Sequence, residues 1–186
     1  ILTINYQLFM KIKSILMLAV VAFALSSCFN NTGLQSTPKL LVYNGFVNPQ
    51  VVGDSLVGAD DTLRYYFNEE LGMQYTDTVH LGDTIVFLSK YDSYMNNLVS
   101  IRATVDTVRV HLWFDIDMND NALMTDSKPE KGVIFFKPMK NFAVFPIYVV
   151  PQEVGAHAIK ITVTSDSQFP ESNVIFTMPV VAAKED

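Results

Sequence analysis

The chain has 186 residues and a formal net charge of −6 at pH 7, with 13 Lys and Arg against 19 Asp and Glu. So acidic a chain lacks the clustered basic residues that nucleic-acid phosphates and anionic membranes attract, which argues against both as electrostatic partners. Its one cysteine, Cys28, excludes an internal disulfide and a centre built from several thiolates.

The first predicted element is a secretory signal peptide over residues 10–27. Lys11 and Lys13 precede an apolar run from Ile15 to Leu25, and two serines follow that run. A short cationic start, an apolar core and small residues before a cut site are typical of such a signal. The run is too short to span about 30 Å of hydrocarbon as a helix, so we do not expect a permanent transmembrane anchor.

The end of this signal, Leu25-Ser26-Ser27-Cys28, resembles the lipobox of bacterial lipoproteins. The resemblance implies that Cys28 carries fatty acyl chains such as palmitate and becomes the first residue of the mature protein. Residues 1–9 precede a complete signal and contain no methionine, so we interpret them as an upstream artefact. Residues 28–38 are uncharged and end in proline, which predicts a flexible tether.

From Lys39 onward, short β-branched and aromatic runs alternate with clusters of Gly, Asn, Asp and Pro, which predicts one β-rich domain over residues 39–186. Alternation is clearest from Thr107 to Ile116, where the even-numbered residues, including Val108, are apolar. Such alternation predicts a half-buried antiparallel strand. The other strand candidates are 40–46, 63–67, 84–90, 99–105, 133–137, 142–150, 158–164 and 174–181.

About nine short strands without helical periodicity favour a sandwich or a barrel. Leu81-Gly82-Asp83-Thr84 and Val154-Gly155-Ala156-His157 resemble the openings of immunoglobulin-like (Ig-like) strands. We therefore expect an all-β, Ig-like antiparallel β-sandwich, with a small β-barrel as the alternative. Pro146 and Pro179 interrupt late strands, which predicts that these strands lie at sheet edges or contain bulges.

A run of acidic and amide residues after the clearest strand resembles the calcium loops of extracellular β-domains. It places oxygen-bearing side chains at the first, third, fifth and twelfth positions of a calcium-loop pattern, and a calcium ion takes six to eight oxygens. Asp120 replaces the glycine of the usual sharp turn, and the twelfth residue is shorter than the usual glutamate. An acidic hairpin loop without metal is the alternative. The candidate calcium ligands are Asp115, Asp117, Asn119, Asn121 and Asp126.

The polar side of the same strand predicts a second candidate site, formed by Arg109, His111 and Trp113. An exposed aromatic ring beside hydrogen-bonding side chains is typical of sugar-binding β-sandwich modules. The alternative is that Trp113 is a packing residue, since tryptophan side chains are mostly buried.

An Asp-Ser/Thr-apolar tripeptide occurs five times, more often than composition alone explains. It resembles the O-glycosylation signal of exported Bacteroidetes proteins, although Asp-Thr also marks turns before strands. The hydroxyl residues that the resemblance makes candidates for modification are Ser55, Thr62, Thr78, Thr84 and Thr107.

Nothing in the sequence predicts an enzyme or a bound cofactor other than calcium. The three histidines, His80, His111 and His157, are far apart and match no zinc-binding spacing. No Gly-x-Ser-x-Gly nucleophile motif or phosphate-binding glycine loop occurs. A hydrolase would need a site assembled from separate loops, in a deep polar cleft.

The lipobox, the uncharged tether, the acidic β-rich body and the tripeptides together resemble small Bacteroidetes lipoproteins with Ig-like domains. The resemblance implies attachment to the outer membrane. Acidic residues just after the acylated cysteine accompany surface export in that group, and Phe29 to Gly33 contain none, so it implies a periplasm-facing position. We expect a non-catalytic protein that binds another envelope component, most simply a protein, with glycan binding at Trp113 as the alternative.

Overall fold

A computed structural model describes residues 36–184 except 53, 54, 58 and 60. The predicted signal peptide, the residues before it, Cys28 and most of the predicted tether lie outside the described residues. Within the described part of the chain, no helix is long and apolar enough to cross a membrane.

The described residues form fourteen β-strands and one short 3-10 helix. The strands are β1 (Lys39–Val47), β2 (Gln50–Val52), β3 (Ser55–Val57), β4 (Asp61–Leu63), β5 (Tyr65–Asn68), β6 (Met73–Thr76), β7 (Val79–His80), β8 (Ile85–Asp92), β9 (Leu98–Thr104), β10 (Val110–Phe114), β11 (Val133–Phe135), β12 (Phe142–Pro151), β13 (Gly155–Ser165) and β14 (Glu171–Val181). The 3-10 helix covers Pro129–Lys131.

Two sheets form the sandwich. The first has the strand order β10-β12-β8-β1-β4, and the second has the order β11-β9-β13-β14-β6-β5, with β7 also beside β14. Strands β1, β8, β12 and β10 occupy the A, B, E and D positions of an Ig fold, and β9, β13 and β14 occupy the C, F and G positions. The predicted Ig-like sandwich is confirmed, and the sheets do not close into the alternative barrel.

Apolar side chains on the inner faces hold the two sheets together. Phe87 of β8 meets Phe176 of β14 edge to face, with 5.4 Å between ring centroids. Within the first sheet, Tyr91 stacks on Phe145 at 4.9 Å. In β13, Ile161 and its inward neighbours two residues away on each side are fully buried, which confirms the alternation predicted for 158–164.

Two predicted strands deviate locally, each for a reason visible in the backbone. Ser165 pairs with Leu98 and Thr164 with Ser100, so Val99, the first residue of the strand predicted over 99–105, is an extra bulge residue that points outward. The strand predicted from Thr107 begins only at Val110. The carboxylate and carbonyl of Asp106 accept hydrogen bonds from the amides of the next residues and hold Thr107 to Arg109 in a turn, so Val108 is exposed rather than buried.

The strand predicted over 63–67 is split at Arg64, where the chain crosses from the first sheet to the second. Asp77 holds this crossing, because its carboxylate accepts hydrogen bonds of 3.0 Å from the backbone amide and from the guanidinium of Arg64. The Arg64 guanidinium keeps the pKa of Asp77 below its usual value.

The prediction that Pro146 and Pro179 mark edge strands or bulges is wrong, because β12 and β14 both lie inside their sheets and neither proline falls at a register shift. Each proline instead lies where a neighbouring strand stops. The carbonyl of Pro146 accepts the amide of Asp115 just beyond β10, and proline has no N–H to return the bond. Pro179 lies between the residues of β14 that pair with β6 and those that pair with β7.

We predict that Gly45→Ala destabilises the protein by roughly 1–3 kcal/mol, since overpacking a core costs about that much. A Cβ at position 45 would lie 2.9 Å from Cε1 of the fully buried Phe87. Urea unfolding of the purified domain measures the loss. In a Phe87→Leu background the clash is relieved, so the same substitution should cost less. An equal cost in both backgrounds would contradict the explanation.

Candidate functional site

The strongest functional prediction from the sequence, acylation of Cys28, concerns a residue outside the described structure. It therefore stays a prediction. The aromatic and calcium candidates lie in β10 and in the segments on either side of it, whereas the glycosylation candidates are spread over the chain, with Ser55 in β3.

An aromatic ladder of His111, Trp113 and Tyr148 lies on the outer face of the first sheet. Trp113 in β10 is directly opposite Tyr148 in β12, and their rings stack with 5.0 Å between centroids and 14° between planes. His111, two residues earlier, contacts Trp113 at 4.8 Å. Burial raises the pKa of Tyr148, and the neighbouring Asp115 carboxylate raises it further.

The structure brings together two of the three residues of the predicted row, His111 and Trp113. Arg109 is separate, because it lies in the turn before β10, where its guanidinium is 3.5 Å from Asp106 and 3.3 Å from Glu153. Trp113 itself is half-buried, and Tyr148 covers one face of its indole. The ladder is therefore closer to a packed aromatic cluster than to an open sugar platform.

A larger feature, which was not predicted from the sequence, is an apolar face on the outside of the first sheet. We define this apolar face by Phe46, Val86, Leu88, Val144 and Tyr148, from strands β1, β8 and β12. Val86 points outward between Phe46 and Tyr148 and is nevertheless fully buried. Leu88 and Val144 are 39% and 47% exposed. The signal was present in residues 142–150, where the outward positions are apolar as well as the inward ones.

The outer face of the second sheet differs in character. Its central strands present Arg102 opposite Thr162, and Ser100 opposite Thr164, with a hydrogen bond of 2.7 Å between the last two hydroxyls. Polar and charged side chains therefore cover this face at its centre. The apolar face of the first sheet is not a general property of the sandwich.

The acidic loop after β10 uses its side chains to hold its own backbone. The Asp117 carboxylate accepts hydrogen bonds from the amide and side chain of Asn119, and Asp120 accepts from the amide of Ala122. All five predicted calcium ligands are exposed. Among the described residues, no three His, Cys, Asp or Glu side chains lie close enough to hold a metal ion. Calcium binding by this loop stays a prediction.

If the loop binds calcium, millimolar calcium should raise the melting temperature of the protein, because a ligand that binds only the folded state stabilises it. Asp117→Asn should remove the rise by weakening the ligand set, whereas Asp166→Asn, outside the loop, should not. Calorimetric titration measures the binding directly. No heat and an unchanged melting temperature would end the calcium hypothesis.

The residues of the glycosylation-like tripeptides are spread over the molecule. Thr62, Thr78 and Thr107 are exposed and Thr84 is half-buried. The preceding aspartates have structural partners: Asp83, for example, accepts hydrogen bonds from the Asn48 side chain and the His80 amide. Turn formation thus accounts for the described aspartates, and modification of the hydroxyls stays a prediction.

A depression of about 500 Å³ lies beside the turn before β10. Its lining includes Asp106, Arg109, His157 and Lys160. His157 is buried, and its Nε2 is 2.7 Å from the carbonyl oxygen of Glu153. His80 instead contacts Asp83, at 3.6 Å. The three histidines remain separate from one another, and those at 80 and 157 have partners that explain their positions.

Comparison with known proteins gives a distant structural similarity. No family model matches the chain, and no curated protein matches it. Among solved structures, it is similar to the ASH/PapD-like domain of human CEP192 (PapD-like domain 7), at 9% identity and a TM-score of 0.32, over 73% of this chain and 100% of that one. The Ig-like assignment rests on the strand order.

Proposed function

We propose that this protein is a lipid-anchored, non-catalytic binding module of the bacterial cell envelope, attached to the outer membrane through Cys28 and facing the periplasm. Its partner is another envelope protein. The lipobox-like sequence and the uncharged segment after it support the attachment to the outer membrane. The apolar face of the first sheet is the observation that supports binding.

The apolar face has the composition of a protein interface. Soluble domains rarely expose contiguous apolar surface on a central strand unless it is a contact site. Here Leu88 and Val144 project from the two adjacent strands β8 and β12, beside the half-buried Tyr148 and Trp113. Lys90 borders the face, with its Nζ 5.1 Å from the ring centre of Phe142. Aromatic residues at the centre and charged residues at the rim are typical of interfaces.

A face contact fits this molecule better than addition of a strand to a sheet edge. The described edge strands β4, β5, β10 and β11 contain three, four, five and three residues. Such short edges present few unpaired backbone groups to an incoming strand. On the side of β14 that faces away from β13, its C-terminal half pairs with β6 and β7.

The glycan-binding alternative depends on Trp113. Sugar rings stack on the flat face of an aromatic side chain, and Tyr148 already occupies one face of this indole. A protein partner needs no open ring face, so the same aromatic ladder suits it better.

We predict that Cys28→Ser moves the protein from the membrane pellet to the soluble fraction of lysed cells. Serine cannot carry the thioether-linked lipid, and the acidic chain has no patch that would replace it. Fractionation with immunoblotting measures the distribution, with Ser27→Ala as a control that keeps the thiol. Unchanged sedimentation of Cys28→Ser would refute the lipid anchor.

We predict that a photo-crosslinking residue at position 144 captures a discrete partner in intact cells. Position 175, on the outer face of the second sheet, is the matched control, because Ile175 is 50% exposed and Val144 47%. Leu88→Lys should abolish the product at position 144, since a charge next to it would have to be desolvated in the interface. Identical products at both positions, or none at 144, would contradict the proposal.

A further inference from the structure

Three loops meet at the end of the sandwich where the chain enters it. Lys39, the first residue of β1, pairs with Asp92, the last residue of β8, and Asp92 also pairs with Phe142, the first residue of β12. Residues 93–97 and 137–141 therefore lie at this end. Residues 166–170 join them, because the Asp166 carboxylate accepts hydrogen bonds of 2.7 and 2.6 Å from Asn97. We call these three loops the tether end.

The tether end exposes large apolar side chains at the tips of its loops. Tyr94 is 46% exposed, Met95 73%, Met139 90% and Phe169 55%. All three loops contribute to this group.

The backbone of these loops is held in place rather than loose. Tyr94 and Met139 have φ angles of 59° and 77°, a left-handed region that large side chains rarely adopt. The carbonyl of Tyr94 accepts a hydrogen bond of 2.8 Å from Asn141, and the amide of Met139 donates one of 2.8 Å to Asn97. Strained backbone that its surroundings maintain is found preferentially at contact sites.

The predicted tether is short enough to keep this end near a membrane. Residues 28–38 span at most about 40 Å when fully extended and roughly 18 Å as a flexible chain. Pro38 is buried against the domain, so the chain leaves it at this end. The opposite end, where Val110 pairs with Pro151, lies a strand of ten residues away, or about 30 Å.

Charge does not drive this end toward an anionic surface. Lys39 is the strand partner of Asp92, and the Lys140 ammonium is 3.8 Å from the Asp120 carboxylate. A surface that attracts this end must therefore do so through apolar and amphipathic groups. Tyrosine and phenylalanine suit the headgroup region of a bilayer, and methionine adapts to irregular apolar surroundings.

We propose that the tether end rests on the lipid bilayer, with Tyr94, Met95, Met139 and Phe169 entering the headgroup region. The inference rests on the proposed function, since the lipid on Cys28 brings this end to the membrane. The domain then has one fixed orientation and does not hang freely from its tether.

The test uses the mature lipidated protein in vesicles of phosphatidylethanolamine and phosphatidylglycerol. Once Cys28 is acylated no other thiol remains, so a cysteine introduced by Met139→Cys accepts a single environment-sensitive fluorophore. Val108→Cys is the matched control, because Val108 is 82% exposed in the turn at the opposite end. We expect a blue-shifted emission at position 139 and quenching by nitroxide-bearing lipids severalfold stronger than at 108, with little dependence on salt.

Each other outcome contradicts a stated part of the proposal. Equal, weak quenching at both positions with the protein still bound to vesicles would overturn the membrane contact and leave the anchor intact. Protein that does not sediment with vesicles would refute the lipid anchor, and the contact between the tether end and the bilayer would be refuted as well. A label that is shielded in native envelopes but not in vesicles would assign the tether end to a protein and overturn the lipid assignment.

Discussion

Phe87 of β8 and Phe176 of β14 meet edge to face across the sandwich, and the two sheets stay together through contacts of this kind. The only cysteine lies outside the described residues, and none of the described side chains form a metal centre. The buried apolar side chains on the inner faces of the two sheets supply this cohesion. Gly45 lets β1 approach Phe87, and Tyr65 reaches Phe176 from β5 at 5.4 Å. The positions of the outer faces and loops follow from this core.

Acidic and amide side chains determine where the strands stop. Asp106 holds the turn before β10, and Asp77 holds the crossing between the sheets at Arg64. Asn97 and Asp166 connect loops from different parts of the chain. Much of the acidic character of the chain is therefore used to satisfy backbone and side-chain donors in turns. The aspartates of the motifs that resemble metal or modification sites therefore also serve the fold.

Two groups of exposed apolar residues underlie the two proposals, one on the outer face of the first sheet and one at the tether end. Strands β8 and β12 run between the two ends, so with the tether end on a bilayer they run away from the membrane surface. The apolar face of the first sheet then points sideways, toward a neighbour in the same membrane. The two proposals thus concern separate surfaces, and a lipid-anchored module of fixed orientation could use both at once.

The local pattern of the sequence was sufficient for the class of fold and for most of the strands. Period-two alternation at 158–164 identified a strand with one buried side, because neighbouring side chains on a strand point to opposite faces whatever the rest of the chain does. The lipobox-like segment could also be predicted from local sequence, because a signal peptide is recognised as a linear sequence. Neither feature required contacts between distant residues.

Tertiary structure decided which strands are central, where register slips and which apolar residues stay exposed. The bulge at Val99 exists only relative to β13, and Pro146 is tolerated only because β10 stops opposite it. The cluster of Tyr94, Met139 and Phe169 depends on hydrogen bonds between residues as far apart as Asn97 and Asp166. Pairing partners and loop contacts arise from the packing of the whole chain, so local periodicity does not predict them.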